Sequence, residues 1–225
     1  SEAILPTPVI AVLGTIDDVA TRIPTRPTGG DHVLLLAGAE TSDELGGSIW
    51  QQVAHSTLAG MPPTVDLGAE QKLGTAMGQL RGAVASAHDL SEGGLSQAVV
   101  EYAVQSGASV SVDPLAALAS DATTGEAVAD VFTGLFSETA TRVLVAVDAS
   151  DPSAVDKVEA VFADNGVPVS RIGSSVSVED SQDATIAVTT AGAEFSLPVT
   201  EAKAAWEGTL PSLFSHAVGA NSVVE

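Results

Sequence analysis

The sequence predicts one α/β-type domain, because strand-like and helix-like segments alternate along all 225 residues. Two further observations agree with this prediction. No internal repeat with a period of about 20–50 residues is present, and no linker rich in Gly, Ser or Pro divides the chain. A chain of this length can bury about 70–75% of its unfolded surface, so it needs no disulfide or metal to fold. We therefore expect a single domain, residues 1–225.

Short apolar runs bounded by Gly, Pro or Asp predict the strands, and apolar residues spaced three and four apart predict the helices. The expected strands are 9–13, 32–37, 110–112, 142–148, 167–173 and 185–190. The expected helices are 48–58, 94–106, 152–166 and 200–214. One more helix is expected after Asp66, its N-cap, with a buried face formed by Leu73, Ala76, Met77, Leu80 and Val84. Residues 114–130 give no clear pattern. The segments 142–148, 152–166 and 167–173 form a β-α-β unit.

The composition excludes several classes of function. Eight Lys and Arg against 29 Asp and Glu give a net charge of −21, with no basic stripe, so nucleic acid and anionic membranes are excluded as partners. The absence of cysteine excludes disulfides, thiolate catalysis and Cys-ligated zinc, and fits a reducing cytosol. No apolar run approaches the roughly 20 residues of a membrane span, and the first residues do not resemble a signal peptide. The expected location is cytoplasmic.

The most informative motif is the turn at residues 86–95, Ser-Ala-His-Asp-Leu-Ser-Glu-Gly-Gly-Leu. Gly93 and Gly94 at a helix start leave backbone N–H groups open to an anion, and Asp89 and Glu92 lie in the same turn. Carboxylates at a phosphate site require a hard cation between them, and Mg²⁺ fits that role. A structural alternative stays open, in which Ser91 caps the helix and the glycines serve only close packing.

Two other segments carry polar groups at element ends. Residues 134–142 contain Ser137 and Glu138 before a strong strand, and an Arg142–Glu138 ion pair is the structural alternative there. Residues 43–48, Asp-Glu-Leu-Gly-Gly-Ser, read as a loop and helix cap, since their own carboxylates would repel an anion without a metal. The sequence has no P-loop, no G-x-G-x-x-G, no G-x-S-x-G and no H-E-x-x-H motif.

Four ordered motifs together resemble one enzyme family. The motifs are Pro-Thr-Pro-Val-Ile-Ala-Val-Leu-Gly at 6–14, Asp-Glu-Leu-Gly-Gly-Ser at 43–48, Ala-His-Asp-Leu-Ser-Glu-Gly-Gly at 87–94 and Phe-Ser-Glu at 136–138. They are similar to the C-terminal module of the phosphoribosylformylglycinamidine synthases, over nearly the whole chain. Single motifs are shared with aminoimidazole ribonucleotide synthetase, thiamine-monophosphate kinase and selenophosphate synthetase.

The resemblance implies an α+β fold with helices packed on a mixed sheet, as in the C-terminal domain of aminoimidazole ribonucleotide synthetase. It also implies a reaction of purine biosynthesis, in which formylglycinamide ribonucleotide, ATP and glutamine-derived ammonia give the amidine. The full enzyme is a carbon–nitrogen ligase that uses ATP and Mg²⁺. Its partners are the rest of the synthetase chain, a glutaminase subunit and a small accessory subunit. Our chain is then the second copy of the module, a piece of a longer protein that is inactive by itself.

The resemblance also assigns candidate site residues. It places Asp89 at the metal-ligating position and Ser137, Glu138 and Thr139 at the substrate turn. Together with the chemistry of the turn at 86–95, this gives Asp89, Glu92 and Glu138 as candidate metal ligands and Ser91, Gly93, Gly94 and Ser137 as candidate nucleotide-binding residues. No catalytic residue is assigned, because the family's catalytic histidine lies upstream of this stretch. His88 stands where the first copy has Gln, and Thr139 departs from the first copy too, which indicates a degenerate site. The alternatives are a module of a related ATP-dependent enzyme and a purely structural scaffold.

Overall fold

The computed structural model describes residues 9–27, 30–190 and 194–218, with the side chains of 209–210 and 212–218 left aside. The strands are β1 His32–Gly38, β2 Ser86–Asp89, β3 Ser109–Val112, β4 Arg142–Asp148, β5 Val169–Val176, β6 Thr185–Thr189 and β7 Glu194–Pro198. The helices are α1 Ile49–His55, α2 Leu67–Gln79, α3 Gly94–Ser106, α4 Ala127–Phe136, α5 Pro152–Asp164 and α6 Val199–Val218. Among these described residues, no helix is long and apolar enough to cross a membrane.

The seven strands form one mixed sheet in the order β2-β4-β1-β5-β3-β6-β7. β3 and β6 pair in parallel, and the other neighbouring strands pair antiparallel. β1 lies near the middle of the sheet. Its last five residues, 34–38, are all buried, and this leucine-rich run is typical of a strand that is covered on both faces. The expected α+β class with a mixed sheet is confirmed.

Helices cover both faces of the sheet, and each face has its own core. Leu34 and Leu36 of β1 point to one side, where they join the buried residues of α3 and the first turn of α6. Leu35 and Ala37 point to the other side and pack with α2 and α5. This division follows from the two-residue period of a strand, which sends successive side chains to opposite faces.

The β-α-β unit is confirmed, with one difference from the sequence expectation. β4 and β5 are parallel to each other because both pair antiparallel with β1, which lies between them. α5 therefore crosses over β1 rather than joining adjacent strands. Asp151 caps α5 through its carboxylate, and Asp66 caps α2 in the same way, as the sequence predicts.

Some predicted elements differ from the structure. The expected buried strand at 9–13 is wrong: these residues form no strand, and Val9, Ile10, Val12 and Leu13 are 83–99% exposed. A short apolar run forms a strand only where a partner offers backbone hydrogen bonds, and none of the described strands lies beside it. The residues 6–8 of the same motif lie outside the described residues. The helix expected at 48–58 is shorter, and its Val53 is exposed.

Candidate functional site

The turn at 86–95 begins in an edge strand and ends in a helix. β2 pairs with β4, and just beyond it Leu90 donates its N–H to the Arg142 carbonyl. α3 begins at Gly94, with Gly93 as its N-cap at a φ of 81°. Asp89, Ser91 and Glu92 are exposed, whereas both glycines are buried. The turn therefore presents its polar side chains outward and its glycines inward.

One carboxylate joins this turn to the loop before α1. Glu138 Oε1 accepts a hydrogen bond from Gly93 N at 2.8 Å and another from Ile49 N at 2.8 Å. Ile49 is the first residue of α1, so a single oxygen receives the N–H groups at the beginning of two helices. Helix N-termini favour a negative charge. The anion that the sequence predicts at Gly93 is therefore the protein's own Glu138 side chain.

Behind Glu138 lies a buried polar network centred on Arg142. Its guanidinium, 3% exposed, donates to the carbonyl of Thr139 at 2.8 Å, that of Ser137 at 2.7 Å and the hydroxyl of Thr41 at 2.9 Å. Burial lowers the pKa of Arg142 to about 10, although the nearby charges of Glu44 and Glu138 raise it. The expected Arg142–Glu138 ion pair is not among the salt bridges of the described residues. Carbonyl oxygens take its place.

Ser137 and Gly94, both predicted to lie at a nucleotide, are buried in this structure, and their nucleotide role stays a prediction. The Ser137 hydroxyl is fully buried and lies 2.9 Å from the Thr139 hydroxyl, so it faces the network. A Cβ on Gly94 would lie 2.3 Å from the Ser137 carbonyl oxygen, which shows that Gly94 allows close packing of α3 against this turn. Ser91 does not cap α3 with its side chain; its carbonyl accepts from Gly94 N at 3.0 Å.

Two cavities adjoin the turn and divide the candidate residues between them. The larger, about 610 Å³, lies between α2 and the β2–β4 edge and is lined by Asp89, Ser91 and Glu138. The smaller, about 230 Å³, is lined by Asp89, Ser91, Glu92 and Gly94. Asp89 and Ser91 thus face both spaces, while Glu92 and Glu138 line different ones.

The three candidate metal ligands do not form a preformed metal centre. Within residues 9–27, 30–190 and 194–218, no three His, Cys, Asp or Glu side chains are grouped closely enough to hold an ion. One oxygen of Glu138 is also occupied by two amides. The described residues therefore offer no cage of protein ligands alone, whereas Mg²⁺ is usually held by one or two carboxylates together with waters and substrate phosphates. The metal role of Asp89, Glu92 and Glu138 stays a prediction.

His88 has partners that the sequence did not indicate. Its Nδ1 lies 2.6 Å from the Asp89 carbonyl and its Nε2 lies 2.8 Å from Glu101 Oε2 on α3. Gln97 donates to the other oxygen of the Glu101 carboxylate at 2.8 Å. Burial acts to lower the pKa of His88, but the hydrogen bonds to Asp89 and Glu101 outweigh it and raise the pKa. Because Glu101 is 13 residues from His88 in the sequence, only the packing of α3 on β2 brings them together.

Thr141 is a second residue that sequence reasoning missed. It has a φ of 62°, the left-handed region that β-branched residues rarely adopt, and it lines the larger cavity. Its hydroxyl donates to Glu70 Oε1 at 2.6 Å, and its carbonyl accepts from Ala39 N at 2.9 Å. No sequence signal marks this position, because a threonine before a strand is ordinary.

Residues 28–184 match the family model for AIR synthase related protein, C-terminal domain. This match covers well over half of the chain, so the chain belongs to that family. Within it, the chain is 46% identical to the phosphoribosylformylglycinamidine synthase subunit PurL of Corynebacterium jeikeium, over 99% of the chain and 31% of the relative. It is 45% identical to the same subunit of Nocardia farcinica, over 95% of the chain and 25% of the relative.

The chain spans about a quarter to a third of the length of the curated relatives it matches. Solved structures with the same fold include Thermotoga maritima PurL complexed with FGAR, with a TM-score of 0.67 and 15% identity over 82% of our chain and 30% of that one. A thiamine-monophosphate kinase from Stenotrophomonas maltophilia has a TM-score of 0.51 and 16% identity, over 75% of our chain and 53% of that one. At these identities the likeness concerns the fold.

Proposed function

We propose that this chain forms the C-terminal domain of a phosphoribosylformylglycinamidine synthase. The observation that carries the proposal is 46% identity to a PurL subunit across 99% of the chain. The whole protein would convert formylglycinamide ribonucleotide, ATP and ammonia into formylglycinamidine ribonucleotide, a step of purine biosynthesis. Solved structures of Thermotoga maritima PurL complexed with FGAR and with ATP support this choice of substrates.

The finer features of the activity are part of the same proposal. The enzyme would be a carbon–nitrogen ligase that takes ammonia from glutamine, requires Mg²⁺ and works in the cytoplasm. Its partners would be the rest of the synthetase chain, a glutaminase and a small accessory subunit. A solved structure of PurLQS from Thermotoga maritima supports an assembly of this kind. Residues 1–225 would act as one domain in it.

Within this domain, we assign roles according to position. Asp89 and Ser91 would face a ligand, since they are exposed and line both cavities. Gly93, Gly94 and Ser137 would shape the turn behind them, because all three are buried. Among the described residues, Asp89, Glu92 and Glu138 form no closed group of ligands, so a metal bound there would also take oxygen ligands from water or a phosphate. The chain would have no synthetase activity by itself.

A chimera tests the proposed function. The segment of the Corynebacterium jeikeium synthase that aligns with our chain is replaced by our chain, and amidine formation is measured with formylglycinamide ribonucleotide, ATP and ammonium chloride. The chimera should keep activity within about tenfold of the parent, and our chain alone should have none. The matched control restores the native segment through the same cloned junctions.

Two outcomes would contradict the proposal. A folded chimera that lacks activity, while the control is active, would show that our chain does not serve this enzyme. Turnover by the 225-residue chain alone would show that it carries its own catalytic groups.

A scaffold without a ligand is the second candidate function. The observation that favours it is the closed state of the turn: Glu138 already occupies the Gly93 amide, and carbonyl oxygens surround Arg142. Asp89→Asn in the chimera separates the two candidates. A scaffold predicts unchanged activity, whereas a ligand site predicts a raised KM for one substrate. A related kinase-type enzyme, the other alternative, rests on fold likeness alone.

A further inference from the structure

Residues 45–63, which we call the strap, project from the domain between β1 and α2. They contain α1, which buries no residue, and residues 52–62 are all exposed. Leu58 is 47% and Met61 82% exposed, so the strap has little apolar burial to hold it in place. Segments with few buried contacts open at low free-energy cost.

The strap is held together internally. Gln51 Oε1 accepts from Gly47 N at 3.3 Å and from Ala59 N at 2.8 Å, which joins its two halves. A Cβ on Gly46 would lie 2.3 Å from the Met61 carbonyl oxygen, so the two halves of the strap are in contact there. At its base, Glu44 Oε1 accepts from Thr64 N at 2.7 Å and brings the two ends together. These contacts make the strap a compact loop whose ends lie close together.

The attachment of the strap to the body is slight by comparison. Among the hydrogen bonds of the described residues, one joins the strap to residues other than its flanking Glu44 and Thr64: Ile49 N donates to Glu138 Oε1 at 2.8 Å. Packing contacts accompany it, and Ser48, which precedes α1, is fully buried. Trp50 packs edge-on against Phe132 of α4, with ring centroids 4.7 Å apart, and Ile49 lies against Gly93.

The strap also borders the cavities at the turn. Pro63 at its end lines the larger cavity, as does Glu138, and Ile49 lines the smaller one. Glu138 therefore sits between the strap, the start of α3 and the larger cavity. Any change that withdraws its carboxylate from Ile49 N removes the polar attachment of the strap.

From these contacts we infer that the strap is a hinged cover closed by the Glu138 carboxylate, and that its opening widens access to the larger cavity. The inference goes beyond the proposed function and does not depend on it. The closed state is the one described here, with Glu138 shared between the strap and α3. The open state lacks the Ile49–Glu138 hydrogen bond and retains the sheet and α3.

Amide hydrogen exchange of the 225-residue chain tests the closure. In Glu138→Ala, the Ile49 amide and the other strap amides should exchange about tenfold faster, which corresponds to a free energy of opening lower by about 1.4 kcal/mol at 25 °C. The amides of β1 and β4 should keep their rates. Glu138→Gln retains an acceptor oxygen and should stay within about threefold of the unmodified chain. Asp43→Ala removes an exposed carboxylate at the base of the strap and is the matched charge control.

A thiol reporter tests access to the cavity. The chain has no cysteine, so Met77→Cys places a single thiol in the wall of the larger cavity on α2. Alkylation by iodoacetamide should be at least about threefold faster when Glu138→Ala is combined with it, and unchanged with Asp43→Ala.

The inference is overturned if strap exchange and Met77→Cys alkylation are the same in Glu138→Ala as in the chain that keeps Glu138. If Glu138→Ala does not fold, Glu138→Asp takes its place, since the shorter side chain withdraws the carboxylate from Ile49 N. Loss of protection throughout the sheet in Glu138→Asp also overturns it, because Glu138 would then support the core rather than close a cover.

Discussion

Arg142 shows how a single buried residue organises the turn beside the candidate site. Its guanidinium donates to two carbonyl groups and one hydroxyl, and so fixes the backbone at Ser137 and Thr139. Glu138 lies between these two residues and points to Ile49 and Gly93. Arg142 thus acts on the strap indirectly, because it fixes the backbone on both sides of Glu138, the residue that hydrogen-bonds to the strap.

Replacing Arg142 should destabilise the protein, because it leaves buried carbonyl oxygens without a hydrogen-bond donor. Arg142→Ala leaves the Ser137 and Thr139 carbonyls without this donor, and we expect a loss of about 3–5 kcal/mol in the free energy of unfolding. Urea denaturation at pH 7 measures it. Arg171→Ala is the control: that arginine is exposed and pairs with Glu159 and Asp156 at the surface, so its removal should leave the midpoint almost unchanged. Equal effects of the two variants would contradict this account.

Glu44 gives the strap base a dependence on pH. Burial acts to raise the pKa of Glu44, but hydrogen bonds from Thr64 and from Ser42 outweigh it and lower the pKa. A carboxyl group with a lowered folded-state pKa stabilises the protein above its unfolded pKa and loses that contribution as the pH falls through the folded value.

We therefore expect Glu44→Gln to reduce the free energy of unfolding by about 1 kcal/mol at pH 7. The difference from the unmodified chain should shrink steadily as the pH falls below the unfolded pKa of about 4.3. Urea unfolding of both proteins at a series of pH values measures this trend. A difference that is constant or grows toward low pH would contradict the lowered pKa.

At the level of single residues, the sequence marked the candidate turn but not its bonding. It predicted that Asp89, Glu92 and Glu138 line one acidic pocket, whereas Asp89 and Glu138 line the larger cavity and Glu92 lines the smaller one. It did not indicate that Glu138 would hydrogen-bond to Ile49 and Gly93. These two contacts have sequence separations of 89 and 45 residues. Such pairings depend on the packing of helices, which no local pattern encodes.

At the level of elements, the close approach of α3 to the Ser137 turn yields a sharp test. Gly94 has a φ of 60°, and an added Cβ would meet the Ser137 carbonyl oxygen at 2.3 Å. Gly94→Ala should reduce the free energy of unfolding by about 2–4 kcal/mol, measured by urea denaturation. Gly78→Ala in α2 is the control. A Cβ added at Gly78 would meet nothing within 4 Å, and alanine should stabilise that helix by about 0.5–1 kcal/mol.

The elements that the sequence predicted best are those whose own residues determine them. β4 is found at Arg142–Asp148 as expected, and α3 at Gly94–Ser106, because burial on both faces or a regular helical stripe leaves a strong pattern. β2, Ser86–Asp89, was not predicted as a strand. It has four residues, mostly polar, and is a strand because β4 offers it an edge. The same reasoning explains why the apolar run at 9–13 is not a strand here.

At the level of the whole molecule, the dominant feature is charge. Twenty-nine acidic residues against eight basic ones give a net charge of −21. Mutual repulsion of like charges opposes compaction, and dissolved salt screens it. The stabilisation from the sheet and its two apolar cores must therefore exceed this electrostatic repulsion for the chain to stay folded.

We accordingly expect salt to stabilise this protein at neutral pH. Between 0.05 and 0.5 M NaCl the screening length falls from roughly 14 Å to roughly 4 Å, so repulsion between surface carboxylates weakens and the thermal midpoint should rise by several degrees. The control is the same series near pH 4.1, the isoelectric point of the sequence, where the net repulsion is small and the rise should largely disappear. A midpoint that rises equally at both pH values would indicate a general effect of the salt on burial of apolar surface rather than relief of repulsion.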